Sequence, residues 1–280
     1  MERLGFRGAG IDLVADAVGP AEAQPLLFLH GSGQTRQSWR KALVEAGRRG
    51  YRAISLDLRG HGDSGWSPDG LYNLDVFTAD IRNVVRQIGR EPVLIGASTG
   101  GLLSMLVAAS PPPAVQAVVL VDISTRPQME GVQEVRAFMG SARDGFASME
   151  EAAAAVAAYL PLRARPNDTT GLSRNLRLRN GRYYWHWDPA FFLQMAGEPL
   201  YVDRAVRCMK RAAITLKAPT LLIRGGSSRV VTEAGAREFL DMVPHAKYAD
   251  IAGAHHMVAG DANDAFNQAV FAFLELSTLD

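Results

Sequence analysis

The chain has 280 residues, 48% of them apolar, which is enough to bury a large core as one α/β domain with an insertion. Thirty basic against twenty-nine acidic residues leave a net charge of +1, which argues against nucleic acid or an anionic membrane surface as a partner. The single cysteine, Cys208, excludes an intrachain disulfide, and no apolar leader or bilayer-length apolar run is present, so a soluble cytoplasmic protein is expected.

Short β-type runs alternate with amphipathic segments. Gly5 to Val18 reads as one or two antiparallel edge strands, and Leu26–Leu29 as the first central strand. A helix over Ser38–Arg49 ends at Gly50, and a strand over Arg52–Leu56 follows. Leu74–Ile88 has helical spacing and stops at Gly89, as a C-cap glycine would make it do. Val93–Ile95 is a strand, Gly101–Val107 an apolar helix, Pro111-Pro112-Pro113 a helix stop, and Val118–Val121 the next strand. Leu221–Ile223 and a weaker run at Lys247–Ile251 complete the strands, with helices over Glu233–Met242 and Asn263–Leu276. The runs are nearly continuous in apolar residues, as parallel strands covered on both faces must be, so the fold is a doubly wound, mostly parallel α/β sheet. Between about 125 and 213 no β run stands out. That stretch holds an alanine-rich helix (Met149–Leu160) and the aromatic cluster Tyr183-Tyr184-Trp185-His186-Trp187. It reads as a helical lid over the carboxyl ends of the strands, with residues 1–124 and 214–280 forming the core. The arginines at 163, 165, 174, 177 and 179 read as a solvated face, and Cys208 as packing.

Gly96-Ala97-Ser98-Thr99-Gly100 lies between a strand and a helix. A serine there is forced into a tight turn that lifts its hydroxyl above the sheet edge, while small neighbours let strand and helix approach. A nucleophile needs a base, an acid to orient it and an oxyanion hole. Leu29-His30-Gly31-Ser32-Gly33 follows the first central strand, and its exposed amides can pair with the N–H of Thr99 around an oxyanion. Ser32 is the first choice for that donor and Gly33 the second; His30 reads as a buried structural histidine.

Taken with Asp57-Leu58-Arg59-Gly60-His61-Gly62-Asp63-Ser64 and Gly253-Ala254-His255-His256, these motifs resemble the α/β-hydrolase superfamily over nearly the whole chain apart from the lid. The resemblance implies a structural role for the Asp57–Ser64 loop, with Asp57 and Arg59 bracing the turn. It implies a base at His256 rather than His255, which stands where glycine is usual. The acid departs from the pattern. Arg224-Gly225-Gly226-Ser227-Ser228-Arg229 places Arg229 where an aspartate is expected, and a guanidinium cannot accept the Nδ1–H of a histidine. Asp122, at the end of the Val118–Val121 strand, is the working candidate, since some relatives such as haloalkane dehalogenases keep their acid there. Glu233 and a Ser–His dyad without a carboxylate are the alternatives.

A serine at position 98 favours attack on an acyl carbon. The expected function is hydrolysis of a carboxylic ester or lactone of a small apolar substrate through an acyl-enzyme. Gly33, Tyr184, Trp185 and Trp187 are expected in the substrate pocket, with Tyr183 a further candidate; packing between lid and sheet is the competing use of these aromatic residues. No metal or organic cofactor is implied. Two other readings stay open: hydrolysis of a C–C bond in a ring-cleavage product, and a weakly active ligand-binding protein on the hydrolase scaffold.

Overall fold

The computed structural model describes residues 1–111, 115–159, 170–173, 175–195 and 201–277; the expected stop at Pro112 and Pro113, Leu160, and the arginines at 163, 165 and 174 lie outside them. The chain opens with an antiparallel hairpin, β1 (Glu2–Arg7) and β2 (Asp12–Val18). β3 (Pro25–Leu29) is buried at every position, and a 3-10 turn over Arg36–Trp39, capped by the Thr35 hydroxyl, leads into α1 (Arg40–Arg48). β4 (Arg52–Leu56) precedes α2 (Leu74–Ile88), whose cap Asn73 accepts the amides of Asp75 and Val76 and whose last turn closes on left-handed Gly89. β5 (Val93–Ala97) and α3 (Thr99–Ala108) flank Ser98, and β6 (Ala117–Val121) ends just before Asp122.

An insertion follows: α4 (Met129–Gly140), α5 (Met149–Tyr159), α6 (Thr170–Ser173), the hairpin β7 (Leu176–Arg179) and β8 (Arg182–Trp185), α7 (Pro189–Met195) and α8 (Tyr201–Thr215). The chain then returns through β9 (Thr220–Gly225), α9 (Glu233–Met242), β10 (Lys247–Ile251), α10 (Val258–Asp261) and α11 (Asn263–Ser277). α8 packs against α3 and α9, and so runs across the expected boundary at 213 as part of the layer covering the sheet.

The eight-stranded sheet has the order β1-β2-β4-β3-β5-β6-β9-β10, parallel throughout except for the two pairings made by β2. The 3-10 turn, α1 and α11 cover one face through Trp39, Leu43, Phe266 and Val270; α2, α3, α8 and α9 cover the other through Phe77, Leu103, Met209 and Phe239. Strand order reverses at β3, from which the chain turns first to β4 and then to β5 on the opposite side. Such a switch opens a crevice at the carboxyl ends of the strands. Here Leu29 pairs with Gly96, so the His30–Gly33 loop and Ser98 leave the sheet side by side.

The sequence predicts a helical insertion, but the insertion is not wholly helical. β7 and β8 form an antiparallel hairpin in which Leu176 faces Trp185. Its turn is Asn180-Gly181, both at positive φ (48° and 76°), the pair that a two-residue type I′ turn selects.

Candidate active site

Ser98 stands at φ 50°, ψ −117°, a conformation strained for a residue with a Cβ. Its N–H donates to the Val121 carbonyl (3.0 Å) and its carbonyl accepts from Leu102 (2.9 Å), so strand and helix together hold the turn. Gly100 is required by close approach: a Cβ there would lie 2.2 Å from the Leu29 carbonyl oxygen. Thr99 begins α3, and its N–H belongs to the first helical turn, where amides have no intrahelical acceptor. Across the crevice the Ser32 hydroxyl meets the Thr99 hydroxyl at 2.6 Å, which fixes the two loops against each other. Gly33 lines the same cavity, but its N–H already donates to Nε2 of His61 (3.2 Å), and so it is spoken for as an oxyanion donor.

Asp122 and His256 come together. Nδ1 of His256 is 2.7 Å from Oδ2 of Asp122, whose side chain is wholly buried. Asp122 is itself a non-glycine residue at positive φ (49°), and the loop after β9 closes round its carboxylate. The Gly225 N–H donates to Oδ1 (2.9 Å) and the Ser228 hydroxyl to Oδ2 (2.5 Å). The sequence alone assigns Ser228 no role, although it matches the serine of the superfamily's Arg-Gly-x-x-Ser-Asp pattern, directly before the position of the usual acid. The same loop steers the histidines, since Ser227 N–H donates to the Ala254 carbonyl (2.9 Å), and a Cβ on Gly225 would lie 2.3 Å from the His255 carbonyl oxygen. His255 turns away from Asp122: its ring meets the Ser227 carbonyl (3.2 Å) and its N–H donates to Asp261 (3.1 Å).

Arg229 also points elsewhere. Its guanidinium pairs with Glu130 (3.0 Å) and Glu134 (2.7 Å) on α4, tying the insertion to the β9 loop. Glu233 sits in the first turn of α9, paired with Arg237, and makes no contact with His256.

Behind the Ser32 loop lie three buried histidines, their rings 5.1 Å (His30 to His61) and 5.8 Å (His61 to His186) apart. Each accepts a backbone N–H and donates to a carbonyl. His30 takes Leu58 (3.0 Å) and meets Gly31 (2.8 Å); His61 takes Gly33 and meets Arg59 (2.9 Å); His186 takes Gly62 (2.8 Å) and meets Gly33 (3.4 Å). Burial lowers His30 to about 4 and His61 to about 3, and takes His186 well below its ordinary value. Neutral rings are the ones that can accept those amides. His186 extends the cluster into the insertion. Asp57 is buried too, and takes the Arg36 guanidinium together with the N–H groups of Arg36 (2.6 Å) and Asp63 (2.9 Å), while Arg59 pairs with buried Asp80 (2.8 Å).

Ser98, Thr99, Ser32 and His256 open on one cavity of about 620 Å³. The insertion supplies much of its apolar wall: Val135, Phe138 and Met139 of α4, Tyr159 of α5, Trp185 and Trp187. Trp185 and Trp187 are stacked, with ring centres 5.0 Å apart. Tyr184 does not line the cavity, nor does Tyr183. On a strand the side chains alternate, so Tyr184 faces away from the side on which Trp185 lies, and its ring packs beside Gly145. Met139 and its neighbours on α4 were not picked out from the sequence, although their spacing on an amphipathic helix could have marked them. Among the described residues no cluster of His, Cys, Asp or Glu could hold a metal ion, and no helix is long and apolar enough to cross a membrane.

Residues 24–262 match the α/β hydrolase fold family. The chain belongs to that family. Its esterase and lipase relatives make it an enzyme of the hydrolase class. It is similar to the esterase Rv0045c of Mycobacterium tuberculosis, at 32% identity over 80% of this chain and 73% of the relative. It is also similar to the mouse (Mus musculus) sn-1-specific diacylglycerol lipase ABHD11, at 29% identity over 91% of this chain and 82% of the relative. Among solved structures, the α/β hydrolase superposes on E-2-(acetamidomethylene)succinate hydrolase with a TM-score of 0.85 at 22% identity, covering 98% of this chain and all of the other, which is a likeness of fold. A crystal structure of the Mycobacterium tuberculosis esterase gives a TM-score of 0.75 at 26% identity, over 98% of this chain and 91% of that one.

Proposed function

We propose that the protein is a serine hydrolase that cleaves a carboxylic ester or lactone of a small apolar substrate through an acyl-enzyme on Ser98. The observation that carries this reading is the 2.7 Å contact between Asp122 and Nδ1 of His256, in a cavity shared with a serine at the strained turn between β5 and α3. Asp122 holds the His256 ring with its proton on Nδ1, so that Nε2 is left as the base. Nε2 takes the Ser98 proton as Oγ adds to the substrate carbonyl. The N–H groups of Ser32 and Thr99 receive the oxyanion. His256 then hands the proton to the leaving alkoxide, and a water activated by the same nitrogen hydrolyses the acyl-enzyme. In a lactone the alkoxide stays attached to the acyl group, and the chemistry is otherwise identical.

Residues 125–213 serve as the cap in this reading, with Trp185 and Trp187 forming the wall that accepts the apolar part of the substrate. The esterase and lipase names carried by the relatives support the choice of an ester bond. The test uses short p-nitrophenyl esters and a fluorophosphonate probe. Turnover and labelling of the native protein, both lost in Ser98→Ala, are expected. A native protein that neither turns over esters nor labels, yet binds a small apolar ligand, is instead a binding protein.

A further inference from the structure

The cavity has two unlike ends. The insertion supplies most of its apolar and aromatic wall, with Arg136 and Asn175 as polar members, whereas the 3-10 turn, the start of α1 and the start of α11 supply Gln37, Ser38, Arg40, Lys41 and Asn263 beside Trp39. Arg40, Lys41 and Asn263 also line a second depression, an open groove of about 800 Å³ between α1 and α11. The catalytic cavity therefore continues onto the surface past these three residues. Arg40 and Lys41 are exposed, and among the described residues neither side chain makes a hydrogen bond or an ion pair. The other arginines of the groove are engaged. Arg49 pairs with Glu45 (2.9 Å) and Glu275 (3.7 Å) and lies over the Phe271 ring, and Arg48 reaches Glu45 at 4.0 Å. Those contacts consume two of the groove's three acids and leave Asp264 as the third. What remains at the junction of cavity and groove is a pair of adjacent free cations beside the amides of Asn263, Asn267 and Gln268.

A neutral ester small enough for the inner cavity has no use for two unpaired cations at the mouth or for the groove beyond them. We propose that the substrate is an acyl ester or thioester whose leaving group carries a phosphate, with the acyl part against the apolar wall and the phosphate at Arg40 and Lys41. This rests on the reading of Ser98 as the nucleophile. The groove then holds the leaving-group side of the scissile bond. Hydrolysis releases the acid and the phosphate-bearing thiol or alcohol, with one water consumed. Adjacent cations meeting a dianion on a solvated rim also make the preference salt-dependent.

The experiment compares kcat/KM for a hexanoyl group presented three ways: as the coenzyme A thioester, as the ester of glycerol phosphate, and as a neutral ester or N-acetylcysteamine thioester. The native protein is expected to favour at least one phosphate-bearing substrate by roughly tenfold or more over its neutral counterpart. That ratio is expected to fall about tenfold in Arg40→Glu/Lys41→Glu, mainly through KM, and to fall on raising salt in the native protein. The two phosphate-bearing arms separate a soluble thioester from a lipid-type ester. No preference over the neutral partner, or a ratio that neither the double variant nor salt alters, overturns the inference. If neutral esters are turned over in a Ser98-dependent way while the preference is absent, this inference alone fails. If Ser98→Ala turns over all substrates as the native protein does, the hydrolase reading fails with it.

Discussion

The sharpest perturbation is Asp122→Asn, because the structure says what each atom of the new side chain meets. The Asn carbonyl can keep the Gly225 N–H that now reaches Oδ1 at 2.9 Å. Its NH2 then stands where Oδ2 was, 2.7 Å from Nδ1 of His256. An amide nitrogen cannot accept a proton there, so it donates, and the imidazole is driven to the tautomer with its hydrogen on Nε2. The base proposed for Ser98 is thereby lost. The orienting acid of such a triad is worth about 10⁴ in kcat, or about 5.5 kcal/mol of transition-state stabilisation. Folding is touched far less. Ser228 still accepts the amides of Val230 (3.1 Å) and Val231 (3.1 Å) while losing its acceptor, at a cost of about 1–3 kcal/mol. The assay is single-turnover hydrolysis of p-nitrophenyl butyrate, normalised to folded protein by near-UV circular dichroism. Arg229→Asp is its partner. That side chain is 60% exposed and held by Glu130 and Glu134, so an aspartate there meets two like charges and gains no route to His256. No rise in kcat is expected, and no rescue beyond tenfold in the double variant. A kcat in Asp122→Asn within tenfold of native, or a tenfold gain in Arg229→Asp, would show the reasoning to be wrong.

Gly225→Ala puts a Cβ 2.3 Å from the His255 carbonyl oxygen and must shift the loop that carries His256; a loss of kcat of about 10² or more is expected at near-native KM, and an unchanged kcat refutes the packing argument. Trp187→Ala opens the wall against the stacked Trp185, and is expected to raise KM for aryl esters about tenfold while leaving acetate esters nearly unaffected, read from a chain-length series. Acid should unfold the protein through its buried histidines. With His30 lowered by burial from 6.5 to about 4, the unfolded chain binds the proton first; stability is full above pH 6.5 and lost as pH falls towards 4. At pH 5 His30 alone costs roughly 2 kcal/mol, so urea midpoints should drop steeply between pH 7 and 5, and a flat profile refutes the neutral cluster.

Much of the sheet is readable from local chemistry, because parallel strands buried on both faces are written as unbroken apolar runs, and α2 carries its own caps in Asn73 and Gly89. The β7–β8 hairpin is a different matter. Asn180-Gly181 is a strong turn signal, but the flanking Leu-Arg-Leu-Arg and Arg-Tyr-Tyr-Trp segments alternate over only four residues each and are overshadowed by the helical segments around them. Missing it also misplaced Tyr184, since strand alternation is what turns that ring from the cavity wall. The amphipathic spacing of α4 marks Phe138 and Met139 as an apolar face, but that this face walls the cavity, and that Ser228 reaches Asp122, depends on which elements meet in three dimensions.

The position-by-position pattern of the superfamily makes Arg229 look like the loss of an acid. The contacts support another description. The loop after β9 still serves the histidine, through the Gly225 N–H and the Ser228 hydroxyl that hold the Asp122 carboxylate and through the backbone bond from Ser227 to Ala254 beside the histidine pair. A carboxylate on the neighbouring strand end and two donors from this loop make one unit. That frees the position occupied by Arg229 for a structural task, gripping α4 through Glu130 and Glu134. The same helix supplies Val135, Phe138 and Met139 to the cavity wall. One loop therefore borders both ends of the proposed reaction, bracing the acid on one side and the substrate wall on the other. On this argument, loosening the Arg229 clamp should act on substrate binding, whereas removing Ser228 should act on the chemical step.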